Sequence, residues 1–347
     1  MGKPFGFPIF TREVFMKVFM SRYYRDFQCI AGACPDSCCK EWAVDIDDDS
    51  ANFYRSLPGA LGERLRSVMQ TEDGCTSMII TEGRCPMWRQ DGLCEIQAQL
   101  GHDALCKTCQ EFPRLRHDYG DFAELGLELS CPETAKMILS CRDFSMICQE
   151  MPGGEEPDYD GEVMEILLRS RQVVLDFIKD CTYPLPQTLA IILLYAHDVQ
   201  AEIDGAEAID FAPEAYLADA VRYAAGEKGI ALQGLFKDLE ILTQRWQALL
   251  DADVVDGNWG GIFVPLVGYF VQRYWLQAVS DFDLVCRVKL IIAACLLINS
   301  LPGDPLKNAQ LFSKEIENDP DNVEAILDGA YCQPELTDVN LLRLLLG

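Results

Sequence analysis

Ten of the sixteen cysteines of this 347-residue chain lie between Cys29 and Cys131. Cys75 stands apart; the rest arrive in four groups, QCIAGACPDSCCKEW, GRCPMWRQDGLCEI, ALCKTCQEFPR and LSCPE. Thiolates gathered at short spacings are soft ligands that suit zinc or an iron–sulfur cluster. Cys106-x₂-Cys109 is a chelating loop common to both. Cys34, Cys85 and Cys131 each precede a proline, which stiffens a ligand loop, and bacterial ferredoxin ligand runs end the same way. One structural zinc needs four thiolates. The surplus here favours an iron–sulfur cluster, 4Fe–4S first, or two metals, with zinc as the alternative. The expected ligands are Cys34, Cys38, Cys39, Cys85, Cys94, Cys106, Cys109 and Cys131. Adjacent Cys38 and Cys39 point apart unless the backbone turns sharply, so they can serve different metals or roles. A disulfide framework would need an oxidising compartment. Cys141, Cys148, Cys181, Cys286, Cys295 and Cys332 lack chelating spacing and read as core thiols, with Cys141 the first of them to reach the site.

The elements that must hold these ligands read as short segments punctuated by Pro35-Asp36, Asp73-Gly74, Glu82-Gly83 and Asp91-Gly92. Residues 51–70 read as a helix interrupted at Pro58-Gly59, 76–81 as a strand and 95–105 as a short helix. Residues 1–20 read as an extension or a short helix packed on the body. A cysteine-rich metal-binding α+β domain with little strand then spans 21–150, and 151–160 is a linker. Residues 161–347 form an acidic all-α domain, so the class is mainly α. Its helices are expected over 162–180, 186–203, 213–225, 230–250, 263–279, 282–300, 321–329 and 338–346, with 282–300 central. No βαβ alternation or internal repeat appears.

The start of the chain has no signal-peptide pattern, and the longest apolar run is too short to span a bilayer. A cytoplasmic protein with reduced thiols and no membrane partner is expected. Of the formal charge of −26, residues 1–150 contribute −7 (16 Lys/Arg against 23 Asp/Glu) and residues 151–347 contribute −19 (13 against 32). Such a surface repels nucleic acid and favours solubility or a cationic, lysine-bearing partner.

No P-loop, GxGxxG or G-x-S-x-G is present. Glu41 stands where a C-x₃-C-x₂-C run would need its third cysteine. Histidine is scarce (His102, His117, His197), and none of the three is marked as a ligand or base. Tyr23, Tyr24, Phe27 and Trp42 flank the first cysteine group, either as packing around the loops or as a wall for a sulfonium or ammonium. In the acidic domain, residues 269–275 are dense in aromatics, which reads first as core.

The stretches YYRDFQCIAGACPDSCCKEWAVDID (23–47), GRCPMWRQDGLCEI (83–96), LGHDALCKTCQEFPR (100–114) and GLELSCPETAKMIL (126–139) resemble the flagellin lysine-N-methylase family. Part of the pattern is also similar to zinc- or iron-chelating domains. The match covers nearly all of the first domain and little of the second, mainly 269–283. The resemblance implies an enzyme that methylates lysine ε-amines of flagellin or a similar protein. It implies S-adenosylmethionine as donor and a cysteine-bound iron–sulfur cluster. A lysine amine must lose its proton before attacking a methyl group, and the donor is a cation. Tyr24, Asp26, Glu41 and Asp45 are the catalytic candidates nearest the cysteines, and Trp42 and Tyr23 the donor-binding ones. A metal-binding scaffold without catalysis, or a redox module, would use the same cysteines but needs no cofactor-sized cleft beside them.

Overall fold

Along FMKVFMS burial, rather than residue type, alternates from one side chain to the next, and the segment is a strand. Phe15–Ser21 (β1) buries Met16, Val18 and Met20 against Ala123 on one face, in a computed structural model that describes residues 15–347. It lies inside a four-stranded sheet. Phe122–Leu127 (β6) pairs with it in parallel, Lys17 opposite Phe122, and Met146–Pro152 (β7) pairs antiparallel, Phe15 opposite Pro152. Arg114–Asp118 (β5) completes the order β5-β6-β1-β7. The expected extension or short helix is thus corrected over residues 15–20, and residues 1–14 lie outside the described part. Met151 and Pro152, expected in the linker, end β7.

The cysteine segments form a module with its own small core. Asp45–Ile46 (β2), Met69–Glu72 (β3) and Cys75–Met78 (β4) make a sheet of order β2-β4-β3. Asp48–Ser56 (α1) and Gly59–Val68 (α2) break where Pro58-Gly59 was expected to break them, with Gly59 at φ +76°. Glu95–Leu100 (α3), a 3₁₀ turn at His102–Ala104 and Lys107–Glu111 (α4) follow. Val44, Ile46, Tyr54, Leu65, Met78, Met87 and Ile96 pack together with Cys85 and Cys106 among them. The Tyr54 hydroxyl donates to the Ala104 carbonyl at 2.7 Å.

One carboxylate joins two parts of this module. Asp47 caps α1 through the Ser50 N–H (3.1 Å) and accepts the Lys107 N–H at the start of α4 (2.9 Å). That N–H, ahead of smaller contributions, lowers the carboxyl pKa to about 2. A depressed folded pKa means stability that is present above about pH 4 and lost as pH falls towards 2. Asp47→Ala is therefore expected to cost about 1 kcal/mol at neutral pH, measurable by denaturant unfolding, and to make the variant less sensitive to that acid window.

The remaining helices are Pro132–Ser140 (α5), Gly161–Asp180 (α6), Leu185–Ile203 (α7), Pro213–Ala224 (α8), Gln233–Lys237 (α9), Gln244–Asp251 (α10), Phe263–Tyr274 (α11), Val285–Ser300 (α12), Pro305–Phe312 (α13), Pro320–Gly329 (α14) and Asp338–Leu346 (α15). The fold is mainly α, 53% helix against 12% strand, with every described strand before residue 153. As expected, α12 is central: it is buried on all sides. Its buried Arg287 pairs with Asp281 (2.9 Å) and its buried Lys289 with Asp338 (3.0 Å). The helix expected over 230–250 is instead two short ones. Between them the Glu240 and Leu242 N–H groups donate to the side chains of Asn322 (2.9 Å) and Glu315 (2.8 Å), so distant carbonyl groups replace a helical ladder. The large core runs through sheet and helices alike: Phe122, Leu129, Cys131 and Ile138 share it with Leu167, Leu189, Phe270 and Ile292. Among the described residues no helix is long and apolar enough to cross a membrane.

Candidate functional site

Four loop segments meet at the cysteines. The Glu41 N–H donates to Gly83 O and the Cys85 N–H to Cys39 O, both at 2.9 Å, stitching the first group to the second. Glu41 sits at φ +73°, a left-handed residue that supplies the sharp turn after Cys38-Cys39. Cys94 stands at the N-cap of α3 and Cys106 at that of α4. Thr108 ties α4 to β2 by donating to Asp45 O at 3.0 Å.

The thiols feel one another. A hydrogen bond with Cys38, then burial, pushes Cys39 up to about 12, and a hydrogen bond with Cys39 raises Cys85 far above an ordinary thiol. Cys106 is lowered by a hydrogen bond from Cys109, which is itself raised by giving it, and burial lifts Cys94 beside Cys85 and Cys106. These six form one group. Burial raises both Cys34 and Cys131, which with Cys29 form a separate group. The eight expected ligands therefore divide into six and two. Crowded thiols resist ionising together; a bound thiophilic metal reverses that penalty. Among the described residues, no three His, Cys, Asp or Glu side chains stand in ready ligand geometry. By chemistry the six-thiol set suits a thiophilic metal or cluster.

Of the other cysteines, Cys286 and Cys295 are buried as expected. Cys148, Cys181 and Cys332 are exposed, which corrects their reading as core thiols, and Cys141 is half-buried. Each exposed one sits on an edge strand, at a helix end or in a loop, where no neighbour covers it.

A cleft of about 360 Å³ opens beside the six-thiol group, with Cys38 and Cys109 in its wall. Trp42 and Phe112 meet edge to face in that wall, ring centres 5.2 Å apart. Among the described residues that line it, Asp45, Glu111 and Glu128 supply three carboxylates against one cation, Arg114. Burial raises the Glu128 pKa despite nearby Arg273 and a 2.9 Å hydrogen bond from the Ser130 hydroxyl. Asn318, from the helical part, closes one side. Aromatic faces with carboxylates and few competing cations attract a cation. A larger cavity of about 690 Å³, between the four-stranded sheet and α6, has no cysteine in its wall.

Of the expected side chains, Trp42 and Asp45 line the cleft. Glu41 is turned instead to Lys314 and Arg245, at 3.0 Å from each. Tyr23 lies on a separate 30 Å³ cavity with His117 and Arg273, and burial pushes its pKa up to about 12. Tyr24 packs on the hydrophobic core, and Asp26 is exposed. Phe112, Glu128 and Asn318 were not singled out. The first two lie inside CQEFPR and GLELSCPE, stretches that carry the family resemblance; nothing local marks Asn318.

Lysine-N-methylases of Salmonella typhimurium (strain LT2) and Salmonella choleraesuis (strain SC-B67) are each 32% identical to the chain over 134 residues, 36% of this chain and 33% of theirs. The flagellar biosynthetic protein FliU of Salmonella muenchen is 32% identical over 127 residues, 34% of this chain and 73% of FliU. The chain belongs to the flagellin lysine-N-methylase family. The match thus spans most of FliU but about a third of the length of the two lysine-N-methylases. No family model and no solved structure matches the chain. Within the family, the described geometry adds a cleft lined by aromatic rings and carboxylates, with two of the six grouped thiols in its wall.

Proposed function

We propose that this protein is a lysine N-methyltransferase, that flagellin or another lysine-bearing protein is its substrate, and that S-adenosylmethionine is its methyl donor. The reading is supported by the cleft in which Trp42, Phe112 and Glu128 lie beside Cys38 and Cys109, together with the family. A lysine ammonium entering it loses water, which lowers its pKa. Glu128 takes the proton from the ε-nitrogen. The freed amine attacks the methyl carbon of the sulfonium; the C–N bond forms as the S–C bond breaks, and the bonding pair stays on sulfur. Trp42 and Phe112 wall the cleft beside the two cations and exclude water. An iron–sulfur cluster would draw its four thiolates from Cys38, Cys39, Cys85, Cys94, Cys106 and Cys109, and when bound would supply a redox-active centre and a fastening for these loops.

Anaerobically prepared protein, labelled S-adenosylmethionine and the host's flagellin test the activity: label is expected on flagellin lysines, and none on any lysine despite demonstrable donor binding would end this reading. Cys85→Ser is expected to abolish iron and sulfide content and to unfold the cysteine module, because metal binding supplies folding energy. Cys295→Ser, inside α12, is expected to leave the metal content unchanged. Retained iron in the first variant, by elemental analysis, would remove Cys85 from the ligand set.

A further inference from the structure

Trp42 is not held by the cysteine module alone. After α13 the chain makes a π-helical turn, Ser313–Glu317, a form often kept for a functional reason. The Lys314 side chain in it is 2% exposed. Its ammonium stands 3.4 Å from Asp36 Oδ1 and 3.0 Å from Glu41 Oε2, and 5.1 Å from the centre of the Trp42 ring. Arg245 reaches the same two carboxylates at 3.3 and 3.0 Å. Gln310 donates to Asp36 Oδ2 (3.2 Å) and to Ser130 O (2.7 Å).

These contacts fall on one loop. Asp36, Glu41 and Trp42 interleave with Cys34, Cys38 and Cys39, and the Trp42 indole N–H donates to Cys38 O at 2.6 Å. Any shift of Trp42 therefore moves both the aromatic wall of the cleft and the backbone of a grouped thiol. The same turn leads directly into Asn318, which also lines the cleft. A lysine so withdrawn from water is tolerable only while its carboxylates and the ring face stay in place. Its partners all lie on the loop, so the loop is fixed by the helical part.

We propose that Lys314 is a positioning residue for the cleft: the helical part, through Lys314, sets the Trp42 ring and the Cys38–Trp42 backbone. The role in donor binding rests on the methyltransferase reading; the role in fixing the loop does not. Two measurements on the full-length, metal-loaded protein separate them. Amide hydrogen exchange is followed by mass spectrometry in peptides spanning residues 34–44 and in α12. Lys314→Met is expected to speed exchange in the loop at least tenfold while α12 stays protected; Lys314→Arg, which keeps the charge, is expected to restore protection. The KM for S-adenosylmethionine is expected to rise at least tenfold in Lys314→Met with a smaller change in kcat. Unchanged loop exchange in a folded Lys314→Met protein overturns the positioning role. Should that variant not fold, Glu41→Gln removes one of the lysine's partners on the half-exposed side; loop exchange there should rise, and an unchanged rate overturns the proposal equally. If wild-type protein transfers no methyl group, the functional reading fails, and loop exchange still decides the positioning.

Discussion

Glu128→Gln is expected to lower kcat/KM for lysine methylation by about 10²–10⁴-fold, the range for losing a general base. Glutamine keeps the shape of the side chain and can still accept the Ser130 hydroxyl hydrogen bond, but it cannot take a proton. The pH profile gives the signature. Burial raises the Glu128 pKa, and the base works only when ionised. Wild-type kcat/KM should therefore rise with pH through a limb above the ordinary carboxylate range and well below the free lysine value of about 10.4; that limb should vanish in the variant. The groups facing Glu128 are Arg273, Glu317, Ser130 and Asn318, and none is altered. Stability moves the other way. A carboxyl whose folded pKa is raised adds stability below its unfolded pKa and loses it as pH rises through the folded one. At neutral pH the neutral glutamine should thus be at least as stable as the wild type. A folded Glu128→Gln protein with wild-type kcat/KM would take Glu128 out of the reaction.

The parts of this site that were legible in the sequence are those built from neighbours along the chain. Cysteine spacing announced Cys106 and Cys109, and turn residues announced the loops that carry Cys38, Cys39 and Cys85. Helix periodicity found α6, α7 and α12 because the first two bury a continuous stripe and α12 buries every face. Strand β1 was missed because FMKVFMS is apolar at five of seven positions and shows no period-two pattern, and its partners β6 and β7 lie far downstream.

The π-helical turn is the sharper case. Ser313, Lys314, Glu315 and Glu317 have the composition of a solvated surface, yet all four are buried. Composition cannot tell a charge in water from a charge whose partner lies hundreds of residues away, as Asp36 does from Lys314. Glu41 shows the same limit from the other side. Proximity to cysteines made it a catalytic candidate, but Lys314 and Arg245 both claim its carboxylate. Trp42 and Asp45, as near in sequence, do reach the cleft. The difference is the left-handed turn at Glu41, which aims successive side chains to different sides.

The residues dense in aromatics at 269–275 carry the second large effect. Arg273 Nε stands 3.0 Å from Glu317 Oε1, with the side chains 10% and 0% exposed. Tyr274 donates to the same oxygen at 2.9 Å, and the Tyr269 hydroxyl lies 3.2 Å from the other and accepts from Arg273 NH1 at 3.1 Å. Arg273→Met is expected to destabilise the protein by about 3–5 kcal/mol, because it strands an ionised Glu317 among phenols and apolar side chains. Glu317→Gln should cost a comparable amount by leaving the buried guanidinium with Glu128 as its remaining nearby carboxylate among the described residues. Replacing both, as Arg273→Met with Glu317→Met, should cost less than the sum of the two single changes, since most of each penalty is the uncompensated charge rather than the lost attraction. Denaturant unfolding of the four proteins closes the cycle. A cost of less than about 1 kcal/mol for Arg273→Met, the size of an exposed ion pair, would show that Arg273 is not needed to balance the buried Glu317 carboxyl.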